Sequence, residues 1–162
     1  MALIIRQAQD VELDIVASVI VDAYAEFAAT MAPDAWSMFA QDIANVYGRL
    51  SDGEIVVAER DGAIVGTMTL FRDWRGAQVG TLAMRLLAVP PSQRHGGVGS
   101  ALLEHAVDQA REAGKNRVVL TTMPVMDTMR DIITKMGFTR ARELDHEPAP
   151  GVRAEGYSLE LT

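Results

Sequence analysis

Between Leu86 and Leu103 the chain reads Leu-Leu-Ala-Val-Pro-Pro-Ser-Gln-Arg-His-Gly-Gly-Val-Gly-Ser-Ala-Leu-Leu. The apolar run Leu86 to Val89 is short enough for an interior strand. Pro90 and Pro91 lack an N–H and end any sheet ladder there. Gly96, Gly97 and Gly99 let the backbone turn without a Cβ in the way. From Val98 onward the apolar spacing predicts an amphipathic helix. Strand, glycine loop and helix in this order leave the first helical N–H groups unpaired and pointing one way. With the positive end of the helix dipole they form a site for an anion, typically a phosphate. Arg94 and His95 stand at its entrance and add charge.

The loop is not a P-loop, because no Lys follows Gly99, and it lacks the third glycine of the dinucleotide fingerprint. What fits is Gln93-Arg94-x-x-Gly97-x-Gly99, placed directly after a Leu-Ala-Val-x-Pro strand. This resembles the acetyl-coenzyme A signature of the GCN5-related N-acetyltransferase (GNAT) superfamily. Met136-Gly137-Phe138 is similar to the Leu-Gly-Phe that often closes the last helix of that family. The resemblance implies an α/β fold: a mixed, mostly antiparallel sheet of about seven strands flanked by about four helices.

The chain in order agrees with that plan. Ala2 to Arg6 reads as a strand. Asp10 is a plausible cap for a helix to about Ala29, with Val16, Val19, Ile20, Ala23, Tyr24 and Phe27 on one face. A second helix, opened by Pro33 or Ala35, runs to about Leu50. Glu54 to Arg60 and Ala63 to Phe71 read as a hairpin turned by Asp61-Gly62. Arg72 to Gln78 is a polar loop containing Trp74, and Val79 to Val89 a long strand. After the motif helix, ended by Gly114, Arg117 to Thr122 is a strand. Asp127 to Met136 is a short helix. Phe138 to about Glu143 and Arg153 to Leu161 alternate like strands, joined by the polar piece Leu144 to Gly151.

At 162 residues, 49% apolar, the chain is expected to be one domain, 1–162, with its own core. Its net charge of −7 disfavours nucleic acid and anionic membranes as partners. No apolar run is long enough to span a bilayer and no leader is visible, so a cytoplasmic location is expected. The chain has no cysteine, which excludes disulfides, thiolate metal sites and a cysteine acyl-enzyme. His95, His105 and His146 show no ligand spacing, and no metal is expected.

The resemblance implies acetyl-coenzyme A as cosubstrate and transfer of its acetyl group to a primary amine of a small molecule, by direct attack. It assigns the pyrophosphate to Arg94, His95, Gly96, Gly97, Val98, Gly99 and Ser100. It assigns the pantetheine arm to the strand end Leu87, Ala88 and Val89, with a backbone N–H there polarising the thioester carbonyl. The carboxylate common in relatives at the start of the long strand is missing; Thr81, Leu82, Ala83 and Met84 stand there. Glu26 is then the candidate base, on a helix that flanks the acceptor in this fold. Tyr24 is the alternative base, an acceptor contact or a core aromatic. Arg85 is a carboxylate-orienting group or a structural ion-pair partner. Ile133 stands where the family often has a Tyr that protonates the thiolate, and Met126 where an Asn is frequent. Tyr157 or Thr128 is the replacement acid. Without one, the alternative is a catalytically weak or inactive coenzyme A-binding sensor. Homodimers are common in the fold.

Overall fold

The computed structural model describes residues 2–72 and 80–161. Its strands are β1 (Ile4–Gln7), β2 (Glu54–Arg60), β3 (Ala63–Phe71), β4 (Thr81–Ala88), β5 (Arg117–Thr122), β6 (Thr139–Arg140), β7 (His146–Ala149) and β8 (Val152–Glu160). Its α-helices are α1 (Leu13–Tyr24), α2 (Pro33–Ala44), α3 (Val98–Glu112) and α4 (Asp127–Lys135). The sheet order is β1-β2-β3-β4-β5-β8-β6, with β7 paired to β8. Among the described residues only β4 and β5 pair in parallel, joined by α3; the other pairs are antiparallel. This is the expected architecture with one strand more: β7 forms inside the piece read as a plain join. Other boundaries shift. The first helix is α-helical only to Tyr24 and tightens into a 3-10 segment over Ala25–Thr30. The second ends at Ala44, before a separate 3-10 turn at Tyr47–Arg49. Trp74, most of its loop and Val79 lie outside the described residues.

Alternation along the strands builds two apolar layers. In β2, Val56 faces a core with Met68, Leu82, Leu102 and Ile133, under α3 and α4. Its neighbours Ile55 and Val57 face the opposite core, with Val16, Ile20, Phe39 and Ile43 of α1 and α2. Gly66 of β3 sets how closely α3 lies on the sheet. A Cβ there would stand 2.6 Å from Val98 Cγ1, so a side chain at 66 would lift the first turn of α3 and its N-terminus.

At one end of the molecule, Arg6 ties the sheet to the α1 entrance. Its two Nη atoms donate to Glu12 at 2.8 Å, and Nη2 also donates to Glu59 at 2.7 Å. The Arg6 hydrogen bond, and then the Gln9 amide, lower the Glu12 carboxyl from the usual 4.5 to about 2. A depressed acid stabilises the fold above the unfolded value and loses that contribution as pH falls through the folded one. Glu12→Gln should therefore lower the urea midpoint at pH 7, and its gap from the wild type should close between about pH 4.5 and 2. A gap independent of pH would contradict the pairing.

Candidate active site

The parallel pairing of β4 with β5 covers only Thr81–Met84 against Arg117–Leu120. Beyond it the strands diverge: β5 continues on β8 to Thr122, while β4 runs on with β3. A register shift between Thr67 and Thr69 of β3 marks a bulge opposite, in β4. Leu86 there has φ +56°, a left-handed conformation that costs a leucine about 1–3 kcal/mol. The Tyr24 hydroxyl donates to the Leu87 carbonyl at 3.1 Å and braces the bulge. Burial pushes the Tyr24 phenol up to about 12, so it stays a neutral donor and is no base near pH 7.

The opened seam leads into a cleft of about 600 Å³. Leu87, Ala88, Val89, Arg94, His95, Gly97, Val98, Gly99 and Ser100 all line it, as do Tyr24 and Glu26. Gly96 does not; its carbonyl accepts from Arg60 Nη2 at 3.0 Å, which anchors the loop from behind. Gly97, at φ +80°, is the left-handed cap of α3. The first i→i−4 bond of the helix runs from Ala101 N–H to Gly97 O at 3.0 Å. The amides of Val98, Gly99 and Ser100 precede it and face the cleft without an intrahelical acceptor. Gly99 supplies room: its missing Cβ would project between Ile132 Cδ1 and Val89 Cγ2. A roomy cleft, a helix N-terminus and an unpaired strand edge are what a pyrophosphate with an amide-bearing arm needs.

Arg94 lines the cleft beside the loop, as expected, and is also tied to the protein by its own bonds. Its Nε donates to Val89 O at 2.9 Å, its Nη2 to Ala23 O at 3.1 Å, and its Nη1 pairs with Glu26. Together the three nitrogens tie the last turn of α1 and the 3-10 segment after it to the residue that follows β4. The same pair occupies Glu26 on the large-cleft side, away from Arg85. Tyr157 is not brought to the cleft at all. It lies in the β8 core opposite Leu120, with the Arg140 guanidinium 5.5 Å from its ring centre. Ile133 is fully buried in the α4 core. Thr128 and Lys135, both of α4, do line the cleft.

Arg85 lines a second cavity of only about 40 Å³, with Tyr24, Phe39, Leu86, Thr121, Thr122, Met123, Met126 and His146 among its walls. Tyr24 and Met126 border both cavities, which therefore lie side by side at the open seam. His146 had no signal in the sequence, because only the folding of β7 onto β8 carries it there. Its Nδ1 lies 3.2 Å from Leu144 O; assigned as the donor, it leaves Nε2 with a free lone pair. The preceding residue is held hard. Asp145 accepts from Arg140 at 2.8 and 2.9 Å and from Gly156 N–H at 2.8 Å, and these bonds keep its carboxyl well below the usual range. Among the described residues no group of His, Cys, Asp and Glu could hold a metal ion. Nor is any described helix long and apolar enough to cross a membrane.

The acetyltransferase (GNAT) family profile matches residues 20–138, most of the chain, and the chain belongs to that family. An IAA acetyltransferase of Azospirillum brasilense is 33% identical over 87 residues, 54% of this chain and 55% of its own length. The chain thus spans about half the length of this curated relative. Among solved structures, PaiA N-acetyltransferase from Thermoplasma acidophilum, in complex with coenzyme A, matches with TM-score 0.80 at 15% identity, over 99% of this chain and 100% of its own. YncA of Salmonella typhimurium, with its cofactor acetyl-CoA, matches with TM-score 0.70 at 21% identity, over 100% and 95%. At these identities the two structures support the fold.

Proposed function

We propose that the chain transfers an acetyl group from acetyl-coenzyme A to a primary amine of a small molecule, by direct attack. The observation that carries this reading is the pair of neighbouring cavities at the open β4/β5 seam, with Tyr24 and Met126 as shared walls. One is bordered by α3 and α4, the other by α2 and β7. Acetyl-coenzyme A, held in the large cleft, supplies an acyl group activated as a thioester.

The α3 amides of Val98, Gly99 and Ser100 bind the pyrophosphate, with the helix dipole behind them. His95 and Lys135 border the same region. The free edge Leu87–Val89 pairs with the arm, and the N–H of Val89 or its neighbour donates to the carbonyl oxygen. Arg94 fixes that edge by its bond to Val89 O. The amine sits in the small cavity, and His146 Nε2 takes its proton. An alkyl ammonium with pKa about 10.4 is almost wholly charged at pH 7, so such a base is needed. The Thr128 hydroxyl, in place of Tyr157, donates a hydrogen bond to the departing thiolate, which takes its proton from solvent. With no cysteine in the chain, attack is direct.

The test is thiol release from acetyl-coenzyme A across a panel of primary amines. Release that depends on the amine supports transfer. Ile133, sealed in the core, and Met126, whose Sδ accepts from the Thr122 hydroxyl at 3.5 Å, favour a second reading, because neither supplies a proton to the cleft. Thermal stabilisation by acetyl-coenzyme A without thiol release would make the chain a coenzyme-binding sensor.

A further inference from the structure

We infer that the acceptor amine also carries a carboxylate and that Arg85 binds it; this rests on the small cavity being the acceptor side, as proposed above. Although the chain has a net charge of −7, the residues that line this cavity include no Asp or Glu. Its charged or titratable walls are Arg85, His146 and the neutral Tyr24.

Arg85 is incompletely used. Its ion-pair partner is Asp42 of α2, at 3.8 Å and with a side chain 52% exposed. Arg6 and Arg140, by contrast, are held by carboxylates at 2.7–2.9 Å. A half-buried guanidinium with donors to spare matches a carboxylate, which it can grip through two parallel N–H bonds. Behind it lies a second cation. Arg49 is buried, and its two Nη atoms donate to the carbonyls of Asp42 and Ile43 at 3.0 and 2.7 Å. Its Nε has no partner. Burial and the nearby Arg85 lower the Arg49 pKa, so the two cations oppose each other. A substrate anion at Arg85 relieves that opposition. A diamine would bring a further positive charge beside Arg85 into a cavity lined by no Asp or Glu, and is selected against.

The experiment compares thiol release from acetyl-coenzyme A with a set of α-amino acids, the matching amino-acid carboxamides, and linear diamines. The acids should exceed their carboxamides in kcat/KM by about 10- to 100-fold, the range for losing a charge-assisted hydrogen bond. Arg85→Met should bring the ratio close to one, mainly through KM for the acids, and Arg85→Lys should restore part of it. Stabilisation of Arg85→Met by acetyl-coenzyme A shows that the variant is folded. Equal turnover of acids and carboxamides, or a preference for diamines, overturns the inference and leaves the transfer reading standing. A parallel thermal titration uses the protein saturated with coenzyme A. Stabilisation by an acid but not its carboxamide, lost in Arg85→Met, supports the carboxylate site even where no amine releases thiol; that pattern would sink the transfer reading alone.

Discussion

Gly99→Glu should abolish the stabilisation of the protein by acetyl-coenzyme A while leaving the free protein as stable as the wild type. Gly99 lies in the first turn of α3 and lines the large cleft. A Cβ at this position would meet Ile132 Cδ1 at 3.7 Å and Val89 Cγ2 at 4.0 Å, ordinary contact distances. The new carboxylate then sits where the pyrophosphate would, answering the same amides and the same dipole. Without ligand, a glutamate in a helix's first turn is favoured by that dipole, and replacing a helical glycine gains about 0.5 kcal/mol. The wild type, with ligand at about 100 times its dissociation constant, should gain about 2.7 kcal/mol. Thermal unfolding with and without acetyl-coenzyme A reads both effects. A full ligand shift in Gly99→Glu would mean that the pyrophosphate lies elsewhere.

His146→Ala should lower kcat by about 100-fold or more at pH 7, the usual scale for losing a positioned base. Its imidazole is exposed, and its one recorded bond is to Leu144 O, so the fold should hold. The defect has a pH signature. As pH rises toward the ammonium's own range, near 10, the amine loses its proton to solvent and the base becomes dispensable. The ratio of wild-type to variant kcat should therefore shrink with rising pH, with stabilisation by acetyl-coenzyme A unchanged. A kcat within about threefold of wild type at pH 7 would remove His146 from the mechanism and return the base to the unassigned groups.

The half of the candidate site around the large cleft was legible because it is local. Strand end, Gly97 cap and first turn of α3 are contiguous, and each is marked by a residue type with few alternatives: proline to stop, glycine to turn. The Asp61-Gly62 hairpin was legible for the same reason, and both residues adopt positive φ. The half around the small cavity was not. The bulge at Leu86 has no signature, since leucine rarely adopts a left-handed conformation; Tyr24, 63 residues away in sequence, braces the carbonyl beside it. His146 reaches the seam only because β7 folds back on β8, and that corner depends on Gly156. A Cβ at 156 would stand 2.6 Å from Ala141 O, so only glycine lets the 141–144 segment lie over β8. Such long-range conditions also explain the placement of Arg94 and Glu26. Both line the large cleft, and the turn after α1 also brings them together as an ion pair, which no local pattern announces.

The central claim is that donor and acceptor occupy the two neighbouring cavities together and react across the open end of β4. Initial rates of thiol release, measured with the amine varied at several fixed concentrations of acetyl-coenzyme A, test it most directly. Occupation of both cavities before transfer predicts double-reciprocal lines that intersect, with no acetylated protein when the amine is omitted. Parallel lines, with acetyl recovered on the protein, would contradict it.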